Sequence, residues 1–266
     1  FVGSYTGAAL SEETRGRIVN GLHELLGLDE SWAAPCKTVA DALKTLKDRV
    51  EAAGISVVIN GVVNDNTHRV LEIDEFRGFV LADDMAPIIF INGRDTKSAQ
   101  IFTLVHELCH LSFAQTGVSN APDDEDSSID MERFCNAVAA DFLVPTDILA
   151  SKVGDGAGDV YPALQAVMRA CKVNFVVVAR KAKDTVFIDD ETFFHLYMRY
   201  KNDMLEATKP GKGGGNYFLT KQYKLGSVFS EAVLTAVHSD YLSYRDAYDL
   251  TGMSAPSFKT YFEEVA

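Results

Sequence analysis

Two stretches near the N-terminus carry apolar residues every three or four positions, which is the spacing of one helix face. The first follows Ser11, a residue type that caps helices, and ends at Gly27. The second follows Thr38 and ends near Gly54. The pattern therefore predicts two packing helices in this part of the chain.

From Ile55 onwards the spacing of apolar residues becomes that of β-strands. Short β-rich runs separated by Gly, Asn and Asp occupy residues 55–59, 69–73, 79–81 and 88–91. They predict a small, largely antiparallel sheet. We expect the strand that includes residues 78–81 to border a substrate groove, because a strand edge can hold an extended peptide by main-chain hydrogen bonds.

Helical patterns dominate the remainder of the chain. Residues 102–113 form an apolar-periodic run, and residues 129–144 form another that Pro145 stops, with a short helix expected from Thr146. The C-terminal part, from about Phe229, predicts two or three amphipathic helices that cover the body.

Residues 161–183 and 190–201 are also predicted to be mainly helical. A break at residues 172–174 divides the first stretch and indicates helix-turn-helix character. The β-branched run at residues 176–178 suits a strand equally well, so both interpretations stay open at this point.

Composition indicates an ordinary globular chain. It has 266 residues, of which 47% are hydrophobic, and it contains neither an apolar run long enough for a membrane span nor a recognisable signal segment. The chain begins at Phe1, which suggests that upstream sequence is missing. Its four cysteines have no C-x-x-C spacing, so we expect reduced thiols and a reducing compartment: Cys36, Cys109, Cys135 and Cys171.

The net charge of −13 opposes non-specific attraction to nucleic acid, because phosphate binding needs clustered Lys and Arg. Direct DNA binding is therefore disfavoured. A negative surface suits a positively charged protein partner instead.

The strongest chemical signal is the run H-E-L-C-H at residues 106–110. On a helix, His106 and His110 leave the same face one turn apart, as two ligands of one zinc ion must. Glu107 is rotated away from that face, where it can act as a base on water without binding the metal. The competing interpretation is a helix that carries two surface histidines.

A catalytic zinc site needs a third protein ligand. On the next predicted helix Glu132 and Asn136 share a face, so Glu132 is predicted to bind the metal while Asn136 supports a ligand. Three other carboxylates compete with Glu132 for this role: Asp126, Asp130 and Asp141.

The sequence around these residues resembles that of the ImmA/IrrE family of metallopeptidases. The resemblance rests on F-T-L-V-H-E-L-C-H-L from Phe102, on E-R-F-C-N-A-V-A-A-D-F-L-V-P from Glu132, and on the preceding strand segments, and it covers about residues 40–150. Cys109 and Cys135 stand where the family usually has small residues. The resemblance implies a cytoplasmic, zinc-dependent (Zn2+) endopeptidase that cleaves a helix-turn-helix transcriptional repressor and so relieves repression under stress.

The expected fold class is α+β, with a zincin-like protease domain, a small, mostly antiparallel sheet and a helical C-terminal region. The expected metallopeptidase domain covers residues 1–152, with a helical part at 1–54 and the sheet and active-site helices at 55–152. A helical, helix-turn-helix-like appendage is expected at 153–207 and a C-terminal helical region at 208–266.

In the expected mechanism Glu107 takes a proton from the attacking water and passes it to the leaving amine. A donor to the developing oxyanion is also needed, and Tyr217, His195 and His238 are the candidates. Two rival functions remain: a non-proteolytic module that binds a repressor around a structural or vestigial metal, and a DNA-binding regulator built on the helical appendage.

Two polar stretches are expected to be connections. The acidic run Asp123, Asp124, Glu125 and Asp126 is predicted to be a solvated loop, and the alternative is a charged lip that attracts a basic substrate. Residues 211–217 are rich in glycine but lack the spacing of a phosphate-binding loop, so they predict a linker or a loop facing the active site.

Overall fold

A computed structural model describes residues 1–63, 66–119, 126–154, 159–207 and 224–265. Within these ranges the chain forms a mixed α+β fold with a small sheet and a helical C-terminal region, as predicted. The helices are α1 (Glu12–Leu26), α2 (Val39–Ala52), α3 (Lys97–Ser112), α4 (Asp126–Leu143), α5 (Thr146–Val153), α6 (Tyr161–Cys171), α7 (Phe175–Asp184), α8 (Asp190–Ala207), α9 (Ser227–His238), α10 (Tyr244–Thr251) and α11 (Ala255–Val265). The strands are β1 (Ser56–Asn60), β2 (Val62–Val63), β3 (Asn66–Val70), β4 (Gly78–Leu81), β5 (Ile88–Asn92) and β6 (Gly117–Ser119).

The first two helices begin and end at the predicted signals. The Ser11 hydroxyl accepts a hydrogen bond from the Thr14 N–H, and Gly27 ends α1 in the left-handed region at φ 58°. Thr38 and Asp41 form a reciprocal capping box at the start of α2. Both helices turn their apolar faces into the core.

The main sheet has the strand order β1-β5-β4-β6. The β1–β5 pair is parallel, whereas β5–β4 and β4–β6 are antiparallel, and β2 and β3 form a separate antiparallel pair. The expectation of a mostly antiparallel sheet is confirmed. β4 lies inside the sheet and the short β6 forms the edge next to it.

Two strand predictions differ from the structure. The predicted strand 69–73 lies instead at 66–70, because Val70 pairs with Val62 and the carbonyl of Glu72 already accepts hydrogen bonds in a turn. Residues 117–119, for which no strand was predicted, form β6, since β4 supplies main-chain partners for them.

The break at residues 172–174 separates two helices whose axes differ by 115°, within the range of helix-turn-helix units. Lys172 adopts the left-handed conformation at φ 58°, and the Asn174 side chain then caps α7 by accepting from the Val176 N–H. The cap decides between the two interpretations of residues 176–178, which are helical.

One hydrophobic core runs from Ile18 on α1 to Leu196 on α8 and includes both faces of α3. Helices α6 to α8 therefore pack into the same core as the sheet. A second cluster is formed by α9, α10 and α11. In the described ranges, no single helix is both long enough and apolar enough to cross a membrane.

Candidate metal centre

Helix α3 supplies three of the predicted site residues. Thr96 caps its start by accepting from the Ala99 N–H, and from Gln100 onwards nearly every side chain is buried. His106 and His110 point to the same side, and their Nε2 atoms lie 3.0 Å apart. The helical period accounts for this approach, because residues four apart stack one above the other.

Helix α4 packs against α3 and brings the third residue to the pair. The Glu132 Oε2 atom lies 3.2 Å from His106 Nε2, and its Oε1 atom lies 3.0 Å from His110 Nε2. The Glu132 side chain is 36% exposed, whereas the two imidazoles are almost buried, so the group opens towards solvent on its α4 side. These residues form the one three-member metal-ligand group found in the described part of the chain.

The spacing of these donor atoms fits a small tetrahedral cation. Two ligand atoms bound to zinc at about 2.0–2.1 Å with tetrahedral angles lie about 3.3 Å apart. Here the two Nε2 atoms lie 3.0 Å apart, and each lies 3.0–3.2 Å from one of the two Glu132 oxygens. Two imidazoles and one carboxylate are also the donor set of a catalytic rather than a structural zinc site.

Interactions between the histidines and Glu132 shift the pKa values of these side chains. Burial opposes the ionisation of Glu132, but hydrogen bonds and charges from His106 and His110 outweigh it and lower the Glu132 pKa to about 2. Burial also lowers the pKa of His110, but Glu132 and Glu107 outweigh this effect and raise that pKa above its usual value. A site that attracts a proton to this position also attracts a metal cation.

The two histidines differ in their outer hydrogen bonds. His110 Nδ1 lies 3.2 Å from the Gln115 Oε1 atom, which fixes the ring and leaves Nε2 for a metal. His106 Nδ1 is buried and has no hydrogen-bond partner among the residues that the structure describes. Ala114, at φ 54°, turns the chain back after α3 and brings Gln115 over His110.

Glu107 is completely buried and lies against the start of β4. A Cβ atom placed on Gly78 would lie 3.0 Å from Glu107 Oε1 and 2.6 Å from Thr103 Cγ2. The absence of a side chain at Gly78 therefore makes the space that the Glu107 carboxylate occupies.

Asn136 does not make the contact expected of it. It is exposed on α4, and within the described ranges it forms no hydrogen bond with His106, His110 or Glu132. It lines a cavity beside the metal group instead.

The carboxylates that compete with Glu132 have other surroundings. Asp130 is exposed with an oxygen 3.6 Å from Arg133 Nη1, and Asp141 binds Arg15 and Lys181. The side chain of Asp126 lies outside the described residues, as do Asp123, Asp124 and Glu125 of the acidic run.

The oxyanion candidates are not brought to the metal group where their positions are described. His195 is exposed on α8, with Glu191 and Phe194 as its neighbours, and His238 is exposed at the end of α9. Tyr217, with residues 211–217, lies outside the described residues.

Cys109 and Cys135 are buried between the two ligand-bearing helices. Burial, together with the neighbouring Cys109, raises the pKa of the Cys135 thiol far above its usual range. All four cysteines are free thiols. Cys109 and Cys135 thus act as small apolar side chains rather than as ligands.

Sequence reasoning missed two residues of the site, Gln115 and Gly78. Gln115 lies beyond the end of α3, where helical spacing no longer predicts which side chains meet. Gly78 carried a usable signal, because a glycine at the start of a strand often marks a close approach of other atoms.

Two known families match parts of the chain. The sequence model of the Peptidase M78 family, described as the IrrE N-terminal-like domain, matches residues 50–183, half of the chain. A second family, described as a domain of unknown function (DUF8813), matches residues 225–264, which contain α9 and α10 and nearly all of α11. No curated protein matches the chain.

Proposed function

Because the chain belongs to the Peptidase M78 (IrrE N-terminal-like) family of metallopeptidases, we propose that it is a zinc-dependent endopeptidase. The observation that carries the proposal is the convergence of His106, His110 and Glu132 beside the buried Glu107. The group has three members in the described part of the chain, which leaves a fourth position for water and favours catalysis over a structural metal.

In this proposal His106 Nε2, His110 Nε2 and Glu132 hold the metal. Bound zinc would supply Lewis acidity, polarising the peptide carbonyl and lowering the pKa of the attacking water. The Glu107 carboxylate accepts the proton from that water as it attacks and then gives the proton to the leaving amine. Gln115 holds the His110 ring in position throughout.

The proposed substrate is a protein, a helix-turn-helix transcriptional repressor whose cleavage relieves repression under stress. Two points support it: the resemblance to the ImmA/IrrE family, and the net charge of −13, which attracts a basic DNA-binding protein. We propose a cytoplasmic location, which the four free thiols support.

The ion pairs of the helical appendage argue against DNA as its ligand. Three of its cations are already paired: Lys181 with Asp141, Lys183 with Asp190, and Arg199 with Asp159. Pairing reduces the positive potential that phosphate binding requires. A protein partner is therefore favoured for this face.

The test is co-expression with the repressor encoded beside the gene, followed by mass spectrometry of the fragments. We expect the wild type to cut the repressor at a defined bond, a chelator to stop cleavage, and E107Q to retain zinc but not cut. E24Q, which alters an exposed glutamate on α1, is the matched control and should cut normally. Cleavage by E107Q at the wild-type rate would contradict the proposed role of Glu107.

A further inference from the structure

A cavity of about 540 Å³ lies between α3, α4 and α7 and is lined by residues that neighbour the metal ligands along α3 and α4. Phe102 stands one turn before His106 on α3, and the centres of the two rings are 6.5 Å apart. Arg133 and Asn136 line the cavity from α4, next to and one turn beyond Glu132. We call this space the α4–α7 cavity.

The walls of the α4–α7 cavity are apolar, and its volume is typical of a ligand pocket, about 300–1,000 Å³. Phe102, Ala137, Ala140, Val176 and Val177 form these walls, and all are only half-buried. The two alanines leave room that larger residues on α4 would fill. Such a space suits a bulky aliphatic or aromatic side chain, which would be removed from water on binding.

Two arginines lie on the rim of the cavity, although the chain as a whole carries a net charge of −13. Arg133 and Arg180 lie on the rim against a single acid, Asp184. Arg133 already lies 3.6 Å from Asp130. The Arg180 guanidinium lies 5.9 Å from the centre of the Phe193 ring and forms no ion pair with a described carboxylate. Arg180 can thus bind a carboxylate of another molecule.

We infer that the α4–α7 cavity is a specificity subsite that binds a bulky apolar substrate side chain next to the cleaved bond, together with a carboxylate held by Arg180. The inference rests on the proposed function, because the metal group defines where the bond lies. In the substrate of an endopeptidase this carboxylate belongs to an acidic side chain, whereas a C-terminal carboxylate, the other source of the same group, would place the cleaved bond near the end of the substrate. Both sources present the same group to Arg180.

The test measures the binding of four fluorescent peptide hydroxamates to the zinc-loaded full-length chain. The hydroxamate anchors each probe at the metal, and the attached residues are Leu-Glu-amide, Leu-Gln-amide, Ala-Glu-amide or Leu-Gln with a free C-terminus. We expect the change from Leu to Ala to weaken binding about tenfold or more. Loss of the carboxylate in Leu-Gln-amide should weaken it about fivefold. The tighter of Leu-Glu-amide and free-acid Leu-Gln identifies the source of the carboxylate.

Three variants test whether the two binding preferences arise at the α4–α7 cavity and at Arg180. A140L, or V177F from the α7 side, should abolish the preference for Leu over Ala by filling the cavity. R180E should abolish the preference for a carboxylate, whereas R245E, which makes the same change of charge on exposed α10, should not. Circular dichroism and zinc content identify any variant that fails to fold.

This experiment distinguishes failure of the subsite inference from failure of the peptidase proposal. Tight binding of all four probes with no discrimination, or discrimination that survives both A140L and V177F, would overturn the subsite and leave the peptidase proposal standing. A zinc-loaded chain that bound none of the hydroxamates would overturn both, because the metal would then have no open position.

Discussion

At the scale of single residues, the geometry of the site depends on a glycine, Gly78, which has no side chain. The Gly78 Cα stands so close to α3 that an added Cβ would meet Thr103 Cγ2 at 2.6 Å and Glu107 Oε1 at 3.0 Å. Since a displacement of about 1 Å in a catalytic group can cost about 100-fold in rate, we expect G78A to lower kcat/KM by about that factor. Peptide cleavage assays measure it.

G16A is the matched control for this substitution. Gly16 lies on α1, and an added Cβ there would meet no atom within 4 Å, so alanine should raise helix stability by about 0.5–1 kcal/mol and leave kcat/KM unchanged. Equal activity of G78A and G16A would refute the claim that Gly78 makes space for Glu107.

The pKa values of the ligands set the pH dependence of the metal-free protein. Folding raises the pKa of His110, so its stabilising effect is present at low pH and is lost as pH rises through the folded value. Folding lowers the pKa of Glu132 to about 2, so its contribution is present at neutral pH and is lost on acidification towards that value. Urea unfolding of metal-free protein should therefore show a stability contribution near pH 5–6 that H110A lacks. A wild-type profile parallel to that of H110A would contradict this account.

The sequence predicts those residues of the site whose relative positions are fixed by a single helix or strand. His106, Glu107 and His110 were predictable because the helical period places them with certainty relative to one another. Glu132 was named because a second helix pattern carried it. The position of Gln115 depends on how the chain turns after α3, and the contact of Gly78 depends on how β4 packs against α3, so the periodicity of a single element predicts neither.

At the scale of elements, Asp141 joins three helices. It binds Arg15 on α1 with an Oδ2–Nε distance of 2.8 Å and also pairs with Lys181 on α7, whose side chain is 8% exposed. Removal of Asp141 leaves a buried cation without its partner, so D141A should destabilise folding by about 3 kcal/mol. Chemical denaturation measures this change.

The control for Asp141 is an exposed ion pair on one helix. Lys44 and Asp48 on α2 are largely solvated, so D48A should cost no more than about 0.5 kcal/mol. K181M in the D141A background should restore part of the lost stability, because it removes the unpaired charge. Equal effects of D141A and D48A would contradict the proposed role of Asp141 in joining α4 to α7.

The ends of helices and strands are predicted correctly only where a local sequence signal marks them. The helices with capping signals, such as α1 and α2, begin where those signals stand. The strand at 66–70 was misplaced because its register depends on pairing with Val62, which is a property of two segments rather than one. Residues 176–178 were ambiguous because β-branched side chains also suit a strand; the Asn174 cap and the burial of Phe175 and Val178 both favour the helix.

At the scale of the whole molecule, a buried polar contact connects the C-terminal helices to the rest of the chain. Glu51 on α2 accepts hydrogen bonds from the Ser227 N–H at 3.1 Å and the Ser227 hydroxyl at 2.8 Å, and Lys47 Nζ lies 3.5 Å from it. Its carboxylate thus stands at the N-terminus of α9, where the helix dipole favours a negative charge. Glycine is required at position 226, because the residue has φ 80° and a Cβ there would lie 2.8 Å from the Val57 carbonyl oxygen.

Removal of this carboxylate should loosen the C-terminal helices without disturbing the metal group. We expect E51A to accelerate hydrogen exchange in α9 to α11 while α3 and α4 remain protected and zinc is retained. E24A, at an exposed position on α1, is the control. Unchanged exchange in α9 would contradict the view that Glu51 fixes this part of the molecule.

The central claim is that two neighbouring helices hold one zinc ion through His106, His110 and Glu132. The most direct measurement is the zinc content of purified protein by plasma mass spectrometry. We predict close to one zinc per chain for the wild type, for E107Q and for D130A, and almost none for E132A and H106A. Full zinc occupancy in E132A would contradict the account, because the third ligand would then have to lie elsewhere.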